Sequence, residues 1–282
     1  MRYIFLLLAV LAVLSILSFA YLKTQTAKDE GSRIDLANYE IIYSKPIESI
    51  THNLSGITYS PDSSTLFSII NNPEQIIELN KRGEVIRKIG LANFTDTEGI
   101  SHIAGDQYAI IQERSRTISI VTIADHTIEL DANSFRQFNI AKAAIDNAGL
   151  EGVAWSVNTG LYVANEHSPS EVIHLPGLLF SPRFSIDDGN VMPHYFRDLP
   201  VDDISGLHFS EFDQQLFVLS HESRSLLAVN KQGKVVSRFN FDRFPFGLGR
   251  SIVQPEGITV DKNNHIYVVG EPNVFMILAP KT

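Results

Sequence analysis

Glu151-Gly152-Val153-Ala154-Trp155, with Leu161-Tyr162-Val163-Ala164-Asn165-Glu166 close behind it, decides the fold, because the two halves recur together along the chain. A Ser or Glu, then Gly, then an apolar residue also stands at Ser55-Gly56-Ile57, Glu98-Gly99-Ile100, Ser205-Gly206-Leu207 and Glu256-Gly257-Ile258, each time followed by an apolar strand ending in Glu or Asn. The five glycines are 43, 53, 54 and 51 residues apart. That is the period of a β-propeller blade rather than of a helical solenoid.

Each copy divides into four short strands. In the first they are residues 56–59, 66–70, 75–79 and 85–89, separated by the turn signals Pro61-Asp62-Ser63-Ser64 and Lys81-Arg82-Gly83. The fourth copy repeats the layout at 206–209, 216–219, 225–229 and 235–239. The fifth runs through 257–260, 266–269 and 274–278 and then lacks a fourth strand, while residues 39–44 form a strand with no blade of its own. The N-terminal strand is expected to complete the last blade, which removes an open sheet edge. The expectation is an all-β, five-bladed β-propeller over residues 38–282. A six-bladed ring is the alternative if residues 135–140 and 180–196 hide a degenerate copy.

Residues 3–22 are an almost unbroken apolar run, with Arg2 before it and Lys23 and Lys28 after it. Twenty residues suffice to span a bilayer as a helix, so residues 1–22 read as a transmembrane signal anchor and 23–37 as a tether. A cleaved signal peptide ending at Ala20, after Ser18-Phe19, is the competing reading. Either places the propeller outside the cytoplasm, held at the inner membrane in the first case and soluble in the periplasm in the second.

The formal charge of −9 and the absence of any basic stripe argue against nucleic-acid binding. With no cysteine, disulfides, thiolate metal sites and cysteine nucleophiles are excluded. The acidic residues, by contrast, follow the repeat. In a blade the start of the innermost strand and the end of the second lie on one face of the disc. Ser55, Glu98, Glu151, Ser205 and Glu256 occupy the first position. Allowing for turns two residues longer in copies one and four, Asn72, Glu113, Glu166, Glu222 and Glu271 occupy the second, with Asp96, Asp202 and Asp203 close by.

Two carboxylates ~6 Å apart repel by roughly 3 kcal/mol at an effective dielectric near 20. Several together must therefore bind a cation, pair with arginine or hold protons. All-oxygen ligands without Cys or clustered His favour calcium, then magnesium. The candidate metal ligands are Glu98, Glu151, Glu256, Asp203, Glu113, Glu166, Glu222 and Glu271. The bland alternative is that these groups brace neighbouring blades, with Arg114 and Arg224 neutralising Glu113 and Glu222. His221 beside Glu222 is the candidate acid/base pair for any catalysis. No G-x-S-x-G, P-loop, dinucleotide fingerprint or H-E-x-x-H occurs.

Several motifs fall in one order: Glu151-Gly152-Val153-Ala154, Glu171-Val172 with Gly177-Leu178-Leu179, and Asp202-Asp203-Ile204-Ser205-Gly206. Leu219-Ser220-His221-Glu222-Ser223-Arg224 and Glu256-Gly257-Ile258 through Ile266 to Asn273 complete the series. In these the chain resembles the SdiA-regulated family of bacterial envelope propellers. The resemblance implies five blades, a bound calcium ion, and a position at the inner membrane facing the periplasm. It also implies distant kinship with NHL-type propellers, some of them metal-dependent hydrolases that use a Glu before a Gly as ligand. That role transfers only to Glu98, Glu151 and Glu256; Ser55 and Ser205 depart from it. Two functions follow as expectations: a calcium-binding or calcium-response module with an unidentified small-molecule or protein ligand, or a metal-dependent hydrolase of lactones or phosphoesters.

Overall fold

The structure is a computed structural model that describes residues 34–140, 149–166, 169–176, 194–241 and 254–281. The apolar run at 3–22, the Ala20 cleavage site and most of the tether lie outside the described residues. Residues Asp35–Thr282 form one compact unit.

That unit is a five-bladed propeller. Strand β1 (Tyr39–Pro46) precedes the first blade, which is β2 (Leu54–Ser60), β3 (Thr65–Ile70), β4 (Gln75–Leu79) and β5 (Val85–Ala92). The second blade is β6 (Thr97–Ala104), β7 (Gln107–Gln112), β8 (Thr117–Thr122) and, after the short β9 (Glu129–Asp131), β10 (Arg136–Asn139). The third comprises β11 (Leu150–Ser156), β12 (Gly160–Asn165), β13 (Glu171–Leu175) and β14 (His194–Phe196). The fourth comprises β15 (Gly206–Ser210), β16 (Gln215–Ser220), β17 (Ser225–Val229) and β18 (Val235–Asn240). The fifth is β19 (Gln254–Val260), β20 (Ile266–Glu271) and β21 (Val274–Pro280), completed by β1.

The sequence pattern of each strand matches its place in the blade. Inner strands are covered on both sides by neighbouring blades, so β2 and β16 are buried along their whole length and show no alternation. Outer strands have one wet side, and β18 alternates between partly buried and exposed residues. The core is accordingly a set of wedges between blades. Phe67, Ile69 and Ile76 of blade one meet Ile100, Tyr108 and Ile110 of blade two, and Ala154 and Tyr162 of blade three meet Leu207, Phe209 and Leu216 of blade four.

The ring closes as the sequence led one to expect. β1 pairs antiparallel with β21, Tyr39 opposite Pro280 and Pro46 opposite Val274. The six-bladed alternative is corrected: residues 136–139 are the outer strand of blade two, paired with β8, and 194–196 are the outer strand of blade three, paired with β13. Both look degenerate because each follows a long connection. In the first, the chain leaves β8, adds β9 in parallel to β5 and then returns. This detour covers the outer edge of blade one. Arg87 fixes it, donating from Nη1 to the carbonyls of Ala124, Asp125 and Thr127 at 2.9, 2.7 and 3.0 Å while Nε meets Glu78 at 2.5 Å.

The five glycines mark where the inner strands touch at the hub. A Cβ on Gly56 would stand 2.8 Å from the Glu98 carbonyl oxygen and Gly99 Cα; one on Gly257 would stand 2.7 Å from the Ile57 nitrogen and 2.8 Å from Gly56 Cα. Backbone cannot give way as a side chain can. Gly257→Ala should therefore cost about 1–3 kcal/mol, a loss of roughly 2–10 °C in Tm for a domain of this size. Gly90→Ala, whose added carbon would meet only the Glu129 side chain at 3.5 Å, should be near neutral in the same thermal melts.

Beside the glycines, Ile57, Ile100, Val153, Leu207 and Ile258 line a residual hub cavity of about 10 Å³. That is at most room for a single water. The inner strands thus nearly meet at the hub, where Glu151 and Glu256 also line the cavity, and the space at which these strands begin forms a funnel.

Candidate metal centre

The three acidic residues among the five inner-strand positions are set by a backbone irregularity. The register slips between Thr97 and Gly99, between Leu150 and Val153, and between Pro255 and Gly257, at Glu98, Glu151 and Glu256 respectively. A bulge re-aims the side chain it carries. Ser55 lies in the same kind of slip between Leu54 and Ile57.

The ends of the second strands follow from the pairing. Gly99 faces Ile111, Gly206 faces Leu219 and Gly257 faces Val269. Two residues beyond these partners stand Glu113, His221 and Glu271. By the same step Glu166 is the equivalent in blade three and Asn71 in blade one. The expectation of Asn72 and Glu222 is corrected here. The turns of copies one and four are one residue longer, not two, and a slip of one residue moves a side chain to the other face. Asn72 and Glu222 are exposed.

On one side of the funnel the carboxylates crowd together. Asp96, Glu98 and Glu113 each offer an oxygen within 4.8 Å of the others, and so do Glu113, Glu151 and Glu166. Glu113 is common to both groups. Its place depends on Gly149, where a Cβ would lie 1.9 Å from Glu113 Cγ. Asp96, which the repeat places only close by, sits at φ 57° in the left-handed region that Asp tolerates better than most residues. Its Oδ2 is buried without a hydrogen bond. Arg114 Nε approaches that atom to 3.1 Å from a side chain 79% exposed, a pairing that water screens. A buried carboxylate oxygen approached by a solvent-screened guanidinium, among other carboxylates, fits an oxygen-ligated cation.

Several acidic groups of the funnel, Glu98 of the crowded cluster among them, are braced by the protein. Glu98 accepts from Ser55 Oγ at 2.7 Å and from Asn71 Nδ2 at 2.5 Å. Asp203 is fully buried and accepts from Ser220 Oγ and from the backbone N–H groups of His221 and Glu222 at 3.1 and 3.0 Å. Asp203 thus ties down the turn that carries His221. Ser205 Oγ donates to the Pro255 carbonyl at 2.6 Å. His221 Nδ1 lies 3.8 Å from Glu256 Oε1, so the histidine expected beside Glu222 instead faces Glu256.

These carboxyls raise one another's proton affinity. Burial, then the neighbouring charges of Asp96 and Glu271, pushes Glu98 up to about 7 against the hydrogen bonds from Ser55 and Asn71. Burial with Asp96 and Glu98 pushes Glu113 up to about 7. Burial with Glu271, Glu98, Asp203 and Glu166 pushes Glu256 up to about 9. Burial with Glu98, Glu166, Glu256 and Glu113 holds Glu151 well above the ordinary carboxylate range.

The folded chain without a cation therefore keeps protons that an unfolded glutamate loses near 4.5. The stability this gives is complete below 4.5 and is lost as pH rises through about 7 and then about 9. Melting curves of chelator-treated protein should fall by about 5 °C or more between pH 6 and pH 9. A flat profile would mean that these groups are already ionised when folded.

The profile of the SdiA-regulated family matches residues 32–279. The chain belongs to the SdiA-regulated family. Among solved structures, this SdiA-regulated protein is similar to Myxococcus xanthus glutaminyl cyclase at 13% identity and TM-score 0.59, over 86% of this chain and 97% of the other. It is similar to regucalcin, a calcium-binding protein from Agrobacterium tumefaciens, at 10% identity and TM-score 0.53, over 85% and 94%. A structure of a nidogen/laminin complex matches at 13% identity and TM-score 0.51, over 78% and 73%. At these identities the likeness concerns the fold alone.

Proposed function

We propose that this SdiA-regulated propeller binds a divalent cation, calcium by its ligand chemistry, at the mouth of the hub, and acts as a calcium-binding or calcium-response module. The observation that carries the reading is the pair of carboxylate groups sharing Glu113, with the buried Asp96 oxygen, approached by the exposed Arg114, among them. Both groups are entirely oxygen-donating, which suits calcium, while magnesium prefers to keep several waters. Asp96, Glu98, Glu113, Glu151 and Glu166 would hold the ion, and their deprotonation would accompany its binding. The apolar run at 3–22 supports a tether to the inner membrane, with the propeller in the periplasm.

Calcium titration of full-length protein and two variants tests this reading. Glu113→Gln should weaken binding by at least about tenfold, since it removes charge from both groups. Glu222→Gln, at an exposed position, should leave affinity unchanged. Equal affinities in the two variants would count against a site at Glu113.

One observation favours a second reading, metal-dependent hydrolysis of a lactone or phosphoester. His221 stands at the rim 3.8 Å from Glu256, where a group that moves a proton would be needed opposite a cation that polarises the substrate. His221→Ala should then abolish turnover of such substrates with calcium affinity intact. Absence of calcium-dependent turnover by the wild type across lactones, esters and phosphoesters leaves the binding module.

A further inference from the structure

A second cavity lies on the face opposite the carboxylates. Strands β11 and β15 leave the funnel at Leu150 and Gly206 and end at Ser156 and Ser210, so the turns beyond them belong to the far side, as does the turn between β17 and β18. Those turns wall a cavity of about 430 Å³ between blades three and four. This volume falls within the ~300–1,000 Å³ of small-molecule sites.

The cavity is lined by Tyr162, His174, Phe196 and Phe209. The Tyr162 ring lies nearly parallel to that of His174, with centroids 4.3 Å apart and planes at 10°, and to that of Phe209, at 5.3 Å and 6°. The stack is fixed at its polar ends. Tyr162 Oη meets Thr159 Oγ1 at 2.9 Å, and His174 Nε2 donates to the Thr159 carbonyl at 2.7 Å. A flat ring added to rings already held in place gains stacking without the entropy of ordering them.

The rim supplies the charge preference. Asn230, Lys231 and Gln232 of the β17–β18 turn line it, and among the described residues no Asp or Glu does. The Asn230 Oδ1 atom is occupied, accepting from the backbone of Gln232 and Lys234 at 3.0 Å each. Glu211, close by in sequence to the lining Gln214, is engaged by Val157 N, Asn158 Nδ2 and Gln214 Nε2. The Lys231 ammonium and the Gln232 carboxamide have no partner among the described residues. An ammonium beside an aromatic wall, with no competing carboxylate among the described lining residues, suits a flat ring that carries an anionic group.

We propose that this cavity binds a small planar aromatic carboxylate, its ring against the Tyr162 stack and its carboxylate at Lys231 and Gln232. This site is independent of the cation reading. Full-length protein with calcium would be titrated calorimetrically with 2-naphthoate, 2-naphthamide and cyclohexanecarboxylate. The expected result is sub-millimolar binding of 2-naphthoate, at least about tenfold weaker binding of the other two probes, and a similar loss in Lys231→Glu. Glu113→Gln should bind 2-naphthoate as the wild type does. No binding at several millimolar, equal affinity for naphthoate and naphthamide, or equal affinity for naphthoate and cyclohexanecarboxylate would overturn the proposal. So would binding that survives Lys231→Glu but fails in Glu113→Gln, since the carboxylate would then be sitting at the hub.

Discussion

Calcium at about 100 times its Kd should raise the melting temperature of chelator-treated protein by about 5–10 °C at pH 8. The size follows from linkage: a ligand in that excess stabilises by about 2.7 kcal/mol, and each kcal/mol moves a domain of this size by about 2–4 °C. The pH matters because Glu98 and Glu113, pushed up to about 7, have given up most of their protons by pH 8. At pH 6 the ion must displace those protons and the shift should shrink. Differential scanning calorimetry on wild type and Glu113→Gln separates a site at the hub from weak binding elsewhere on an acidic surface. In the variant the shift should largely vanish, because Glu113 is the carboxylate that both groups share.

Removing residues 1–46 should have a still larger effect on the propeller itself. The cut takes away β1, leaving β21 as an open edge, and with it the buried Leu36, Tyr39 and Ile41. At about 1.5–3 kcal/mol for each buried apolar side chain, the loss is comparable to the whole stability of an ordinary domain, about 5–15 kcal/mol. The truncated chain should be unfolded or aggregated at 25 °C by circular dichroism and size-exclusion chromatography. A chain starting at Ile34 should keep the wild-type melt. Equal behaviour of the two truncations would show that ring closure by the N-terminal strand contributes little.

Much of this architecture was legible because propeller repeats write themselves into sequence. The Gly at each hub contact has a steric cause that holds in every blade, and strand boundaries in copies one and four fell within one to three residues of those observed. The closing strand at 39–44 could be read from a missing partner at the C-terminus. The outer strands of blades two and three escaped, since residues 136–139 and 194–196 follow long connections and are only four and three residues long.

The funnel was legible in outline and misread in detail. Its inner positions were fixed by the residue before each Gly. Its outer positions depended on turn length, and a single residue exchanged Asn71 for Asn72 and His221 for Glu222. Nor could the spacing reveal that Asp203 would be consumed by the turn it supports, or that Gly149 makes room for Glu113. Those are contacts between different strands, which periodicity does not encode.

The most direct measurement is a long-wavelength anomalous difference map from crystals grown with calcium. The account predicts a calcium peak in the funnel, contacted by oxygens of Glu113 and its neighbours Asp96, Glu98, Glu151 and Glu166. A map with no peak there, the same carboxyl groups hydrogen-bonded to one another, and calcium only at the outer rim would contradict it.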